Sequence, residues 1–272
     1  MDSRTTPATA RIAHASLRGK IDGVPVTDGE PLRVVQPLAD LLKTPNGDRL
    51  RQLWLGEDFT VIDRDQGHAF GFANKDGYCG WLLATALGEA PDPSHWVASP
   101  GSVLYPEPRT QSREVALLPM GARLRVLGQS GKFAETPLGF VPTCHMREIG
   151  DWHKDSVTVA EKFLHTPYLW GGNSRAGIDC SGLVQAAYLA CGMRCAGDSD
   201  LQQDMGHQIA EADALCRGDL LFWKGHVAIV ADVQRLIHAN GQTMSVAYEN
   251  IADCIARILD QDGGYVTHRR RL

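Results

Sequence analysis

Residues 178–192 read IDCSGLVQAAYLACG, and this stretch decides how the second half of the chain is read. Leu183, Val184, Ala187, Tyr188 and Cys191 recur at helical spacing, and Gly192 is a natural stop, so the spacing predicts an amphipathic helix. Cys180 stands between Asp179 and Ser181, at or near the first turn of that helix. Both neighbours are good N-cap types. A helix N-terminus presents unpaired N–H groups and partial positive charge, which favour thiolate over thiol. Cysteines so placed can titrate well below the free value of about 8.5. The alternative is that Cys180 simply packs, as free cysteines commonly do. Its polar neighbours argue against that, whereas Cys191, Cys195 and Cys216 read as plain packing cysteines.

A thiolate nucleophile needs a base that can also serve as an acid. Of the ten histidines, His14, His68, His95, His153, His207 and His268 sit in polar or loop-like surroundings. His226 instead opens the apolar run HVAIV, and His238 lies within LIHANG. Adjacent antiparallel strands would put both rings on one face. His226 would then meet the sulfur, and His238 would bond its other nitrogen and fix its tautomer. A single histidine on a strand is more often structural. Two of them downstream of a helix-start cysteine point to a Cys/His/His set.

Working outward, 272 residues with 43% hydrophobic content suit roughly two or three domains, each with its own core. A net charge of −5 argues against a nucleic-acid binder. The dense basic stretch His268-Arg269-Arg270-Arg271 reads as a solvated tail. Seven cysteines without a CxxC pair fit neither a disulfide framework nor a structural zinc site. The expectation is a reducing compartment, with no metal and no cofactor. The first twenty residues lack the apolar core of a secretory signal, and no run approaches the ~18 apolar residues of a membrane span. A soluble, cytoplasmic protein is therefore expected.

Residues 1–30 form an N-terminal extension with no derivable role. After it, Val34-Val35, Leu53-Trp54-Leu55, Phe59–Ile62, Ala69–Phe72 and Gly80-Trp81-Leu82 read as short strands bounded by Gly, Asp, Asn or Pro. The order then repeats: LWLGEDFTVID aligns with LLPMGARLRVLG, and GYCGWLLATAL with LGFVPTCHM. Past residue 150 the texture changes. SVTVAEKFLHTPYLWGG begins helical, with Val157, Ala160, Phe163 and Leu164 on one face, and the helix of residues 180–191 follows. GDLLFW, GHVAIVADV, RLIHANG and SVAYENI read as strands. Helices first and strands later, with hairpin-length connections, predict an α+β domain with an antiparallel sheet.

TPYLWGGNSRAGIDCSGLVQAAY, RGDLLFWKGHVAIV and LIHANG together resemble the three motif blocks of the NlpC family of papain-like cell-wall cysteine peptidases. The tandem before them is similar to two bacterial SH3-like barrels. The resemblance implies two small all-β barrels, residues 31–90 and 91–150, followed by an NlpC-type peptidase domain over 151–272. It implies Cys180 as nucleophile, His226 as base, His238 as the residue orienting it and Tyr168 at the oxyanion. The order of domains resembles the γ-D-glutamyl-L-diamino acid endopeptidases, in which the first barrel narrows the cleft and demands a free N-terminal L-alanine. In that group Asp179, Ser181 and Trp170 match substrate-contacting positions. Tyr78 and Glu57 of the first barrel are candidates to reach the α-amine; Tyr78 can equally be barrel packing, and Glu57 a solvated turn residue. The implied substrate is a small murein peptide, L-Ala-γ-D-Glu-diamino acid, and the implied role is the recycling of murein peptides. Two alternatives stand beside it: a wall-peptide binding module with an inert third domain, and a thiol amidase or acyltransferase on another amide. One departure is CAGDSDLQQ, after the helix, which lacks the family's arginine and leaves open how that loop is held.

Overall fold

The structure is a computed structural model describing residues 1–272. The chain divides into two compact units, Met1–Ile149 and Gly150–Leu272.

The first unit is built of strands. Seven form one antiparallel sheet, in the order Arg49–Trp54, Leu38–Leu42, Cys79–Leu83, His68–Ala73, Asp58–Asp65, Glu30–Val34 and Leu87–Gly88. The strand Leu38–Leu42 escapes the sequence reading, because LADLL carries no β-branched residue and no clean alternation. Tertiary burial overrides that weak propensity: Leu41 has no exposed surface. Residues 1–30 lie against this sheet. Cys79 N–H donates to Arg4 C=O at 2.7 Å, Arg11 pairs with Asp63, and the His14 ring meets Phe72 edge-on at 5.1 Å.

Residues 95–148 form smaller sheets around a core of Val97, Leu104, Leu118, Leu124, Val141 and Met146, to which Leu55 also contributes. The sequence repeat has a structural counterpart. Gly56 and Gly121 both turn at positive φ, 78° and 91°. Each half then closes with a strand, a one-turn 3-10 helix and a further strand. These are Cys79–Leu83, Ala84–Ala86 and Leu87–Gly88 in one, and Gly139–Pro142, Thr143–His145 and Met146–Glu148 in the other. Gly121 is required twice over, since a Cβ there would also fall 2.4 Å from the Trp54 ring.

The second unit holds four helices and a six-stranded antiparallel sheet. The helices are α1 (Ser156–Glu161), α2 (Cys180–Leu189), α3 (Ser199–Gln202) and α4 (Ile251–Asp260). The strand order is His207–Gln208, His268–Arg271, Leu220–Trp223, His226–Val230, Arg235–Asn240 and Ser245–Asn250. α1 is shorter than its pattern: Asp155 caps its start, and the chain leaves it before His165, whose φ is +66°. α2 runs from Cys180 to Leu189, and Gly192 follows in the left-handed region at φ 74°. It lies against His226–Val230 and Arg235–Asn240. α4 covers the sheet through Cys254 and Ile258, which pack with Leu221, Ala228, Val230 and Leu236.

Two elements correct the sequence reading. α4 has no counterpart in it, although Ile251, Cys254, Ile255 and Ile258 carry helical spacing after the N-cap Asn250. The basic tail is not a solvated tail. His268–Arg271 is an internal strand, paired on both sides. Backbone pairing seats it, and its arginine heads find partners within the unit, Arg271 the buried Asp219 at 2.7 Å and Arg269 the Glu211 C=O at 2.9 Å.

Candidate active site

Asp179 begins the site by beginning α2. Its carboxylate accepts from Gly182 N–H at 2.6 Å, from the Ser181 hydroxyl at 3.1 Å and from Gly171 N–H at 2.8 Å. One side chain thus caps the helix and ties the preceding Gly171-Gly172 turn to it. Cys180 follows as the first helical residue and is only 6% exposed.

That burial overturns the expectation of a resting thiolate. Desolvation, with the Asp179 charge beside it, pushes the Cys180 thiol up to about 12. The backbone N–H groups of Val227, Ser181 and Cys180 pull the other way, as a helix terminus should, but do not win. The thiol therefore needs a partner to take its proton. Val227, whose N–H reaches the sulfur, follows His226 in the strand His226–Val230.

His226 and His238 share a sheet face. Ile229 pairs with Ile237 in the two strands, and both histidines fall in step with Ala228, Val230 and Leu236, which face α4. His226 Nε2 lies 2.9 Å from His238 Nδ1, with the rings edge-on at 61°. This leaves His226 Nδ1 as the ring nitrogen that His238 does not use.

Behind His238 stand two residues that the sequence reading misses. His238 Nε2 is buried and lies 3.1 Å from Glu249 Oε2, close but not in line for a full hydrogen bond, and it has no other partner. Glu249 accepts two bonds from the Arg257 guanidinium, at 2.8 and 2.7 Å. Arg257 holds the Glu249 carboxyl below its usual range. Arg257 belongs to α4, so only the Ile251–Ile258 periodicity could have found it from the sequence. His238, Glu249 and Cys254 are metal-ligand types gathered together, but the guanidinium already supplies the positive charge among them, 3.7 Å from Cys254 Sγ.

Burial lowers His226 to about 3, helped by the charge of His238, and lowers His238 to about 4 against the pull of Glu249. Both stay neutral at pH 7. The sign for stability follows. Between the unfolded value of about 6.5 and the folded values, the unfolded chain binds more protons. The contribution is complete above about pH 7 and is lost as the pH falls through that window. Urea midpoints measured at pH 7.5 and 4.5 should drop further for the wild type than for a His226→Gln/His238→Gln variant.

Tyr168 is placed beside the nucleophile by backbone contacts. It bridges to Ile178, and its N–H donates to Met244 C=O at 2.8 Å. Burial, with the charges of Cys180 and Asp179, raises its phenol, so the hydroxyl remains a donor. Trp170 is 69% exposed, at the turn before Gly171. Ser181 is buried beneath its bond to Asp179.

The loop that lacks an arginine is held by amides. Gln202, fully buried, donates from Nε2 to Ser181 C=O at 2.9 Å and to Ala196 and Gly197 C=O at 3.1 Å. Gln185 donates to Cys195 and Ala196 C=O at 3.0 and 3.1 Å. Gln202→Leu removes the donor for buried carbonyls and should cost roughly 2–3 kcal/mol by urea denaturation.

Tyr78 and Glu57 belong to the first unit, where both are buried to 2% exposure. Glu57 is not a solvated turn residue: Lys75 Nζ grips both its oxygens and also lies 4.8 Å over the Trp54 ring. Arg51 stacks over the Tyr78 ring at 4.9 Å and pairs with Asp76. The Glu57 charge is thus already matched from within its own unit.

The NlpC/P60 family matches residues 165–258, and the bacterial dipeptidyl-peptidase SH3 domain matches residues 41–87. The chain therefore contains an NlpC/P60 domain preceded by one such SH3 domain. It is 27% identical over 251 residues to a γ-D-glutamyl-L-lysine dipeptidyl-peptidase of Bacillus cereus, covering 77% of this chain and 73% of that one. It is 32% identical over 140 residues to dipeptidyl-peptidase 6 of Lysinibacillus sphaericus, covering 52% of this chain and 51% of that one. The match thus spans about half the length of this second relative. The crystal structure of an NlpC/P60 family protein from Bacillus cereus superposes with a TM-score of 0.74 at 20% identity, over 89% of this chain and 99% of that one. At that identity the likeness speaks for the fold.

Proposed function

We propose that this NlpC/P60-domain protein is a cysteine peptidase that hydrolyses the γ-D-glutamyl–diamino acid bond of small peptidoglycan peptides, releasing L-Ala-γ-D-Glu. The observation that carries the reading is the buried Cys180 at a helix terminus, with Val227 N–H on its sulfur and His226 next in the chain, backed by His238 at 2.9 Å. The names of the relatives support the bond and the substrate class.

In this reading the steps fall to residues of the chain as follows. Cys180 passes its proton to His226 as sulfur attacks the γ-carbonyl of D-glutamate, so charge separates only when the acyl group is in place. The Cys180 N–H and the Tyr168 hydroxyl receive the oxyanion. His226 returns the proton to the departing amine of the diamino acid. It then takes a proton from water, which opens the thioester and restores the thiol.

Asp179, Ser181 and Trp170 are read as substrate contacts. An ammonium is a fitting ligand for the Asp179 carboxylate. Selection of a free N-terminal L-alanine through Tyr78 and Glu57 requires the amine to compete with Lys75 for the Glu57 carboxylate. The same reading takes residues 31–90 and 91–150 as tandem SH3-like barrels, supported by the repeated glycine turn and 3-10 helix. It takes 151–272 as the peptidase domain. Recycling of murein peptides in the cytoplasm suits a chain whose seven cysteines are all free.

Mass spectrometry of products from L-Ala-γ-D-Glu-meso-diaminopimelate and its L-lysine counterpart, with the α-amine free or acetylated, tests the reading. Release of L-Ala-γ-D-Glu from a free-amine substrate supports it. Cleavage of acetylated and free forms alike keeps the peptidase and removes the amine selection. No cleavage of any of them by folded protein turns the assignment toward a wall-peptide binding module or an amidase on another amide.

A further inference from the structure

Which nitrogen of His226 carries its proton decides whether it can act as a base, and groups beyond His226 settle that question. We infer that Glu249 is a positioning residue that sets the tautomers of both histidines, and that Arg257 holds that carboxylate in place through two hydrogen bonds. The inference rests on the peptidase reading for its consequence in activity, but not for its geometry.

A carboxylate only accepts hydrogen bonds. Glu249 is held ionised by two bonds from Arg257, at 2.8 and 2.7 Å. It is what His238 Nε2 faces, at 3.1 Å and off the line of a full hydrogen bond, in a buried place where that nitrogen has no hydrogen-bond partner. His238 therefore carries its proton on Nε2, and its Nδ1 is bare. That bare nitrogen lies 2.9 Å from His226 Nε2, which must then hold the proton between the rings. His226 Nδ1 is left with a lone pair, which is the form that accepts a proton from the Cys180 thiol. A carboxylate two rings away thus fixes the base.

Arg257 limits the same carboxylate. Glu249 alone would draw a second proton onto His238, and a charged His238 would oppose the charge His226 must take up. Burial first, and the guanidinium after it, offset that pull, and His238 stays neutral although it faces an anion. The other titratable groups around the pair are Cys254, on α4 beside Glu249 and Arg257, and Cys180, Asp179 and Tyr168 on the side of the nucleophile.

Two variants separate the roles. In Glu249→Gln the amide carbonyl goes to Arg257 and the NH₂ turns to His238 Nε2, which then becomes the acceptor. His238 protonates on Nδ1, His226 loses its proton from Nε2 and carries it on Nδ1, and the base is blocked. A fall of about 10²- to 10⁴-fold in kcat with KM little changed is expected, by analogy with a wrong-tautomer histidine in a serine protease triad. In Arg257→Met the unbalanced carboxylate raises His238, so kcat falls at pH 5–6 but stays near wild type at pH 8.

The tautomers are read directly by ¹⁵N-imidazole NMR of the whole chain at pH 7, without substrate. The expected result is Nε2–H on both rings in the wild type and Nδ1–H on both in Glu249→Gln. Wild-type spectra with Nδ1–H on His226 would overturn the inference even if the variant failed to fold, and so would a folded Glu249→Gln with wild-type kcat. Inactivity of the wild type on every peptide would instead count against the peptidase reading and leave the tautomer result standing.

Discussion

Cys180→Ala loses at least about 10⁴-fold in kcat and keeps its fold. The other nucleophile at the start of α2, the Ser181 hydroxyl, is a weaker acid and donates to Asp179 at 3.1 Å, so it does not replace the thiol. The structural cost is small, because the helix start is held by Asp179 through three hydrogen bonds that do not involve the sulfur. Cys180→Ser should be nearly as inactive. A hydroxyl is a weaker acid than a thiol, and His226, which burial lowers to about 3, is a weak base for it. Steady-state turnover beside thermal melting checks both variants. Turnover by folded Cys180→Ala within tenfold of wild type would remove the thiol from the mechanism.

His226→Ala should lose about 10³- to 10⁴-fold in kcat. Burial pushes the Cys180 thiol up to about 12, so without a proton acceptor almost no thiolate forms at neutral pH. The two residues act as one unit, and effects within a unit do not add. The double variant Cys180→Ala/His226→Ala should therefore be no slower than Cys180→Ala alone. A rate constant that falls by the product of the single effects would mean that His226 works independently of the sulfur. KM, by contrast, should move little in either variant, since neither side chain is assigned to binding.

Much of this site is legible in the sequence because it rests on local rules. Asp179, Cys180 and the helical spacing behind them are one contiguous signal, and the glycine at 192 closes it. His226 and His238 are found by strand alternation, which assigns them a shared face from their positions in two apolar runs. What the sequence conceals is what depends on burial and on distant chain segments. The thiol reads as acidic from its place at a helix terminus, and the depth of the site reverses that. Glu249 and Arg257 act on His238 only because α4 folds back over the sheet. Glu57 reads as a turn residue, yet Lys75, eighteen positions on, draws its charge into the core. The arginines of the last strand read as solvated because their composition says nothing of the backbone partners waiting on either side.

The most direct test of the central claim is covalent. A chloromethyl ketone built on L-Ala-γ-D-Glu presents an electrophilic carbon close to where the scissile carbonyl would lie. It can be mixed at pH 7 with the intact chain, and the modified cysteine located by peptide mass spectrometry. Cys144 and Cys216 are exposed, while Cys180 is buried. Unassisted reactivity would therefore favour the first two. The account predicts one adduct, on Cys180, formed by the wild type and lost in His226→Ala. Modification of Cys144 and Cys216 with Cys180 untouched would contradict it.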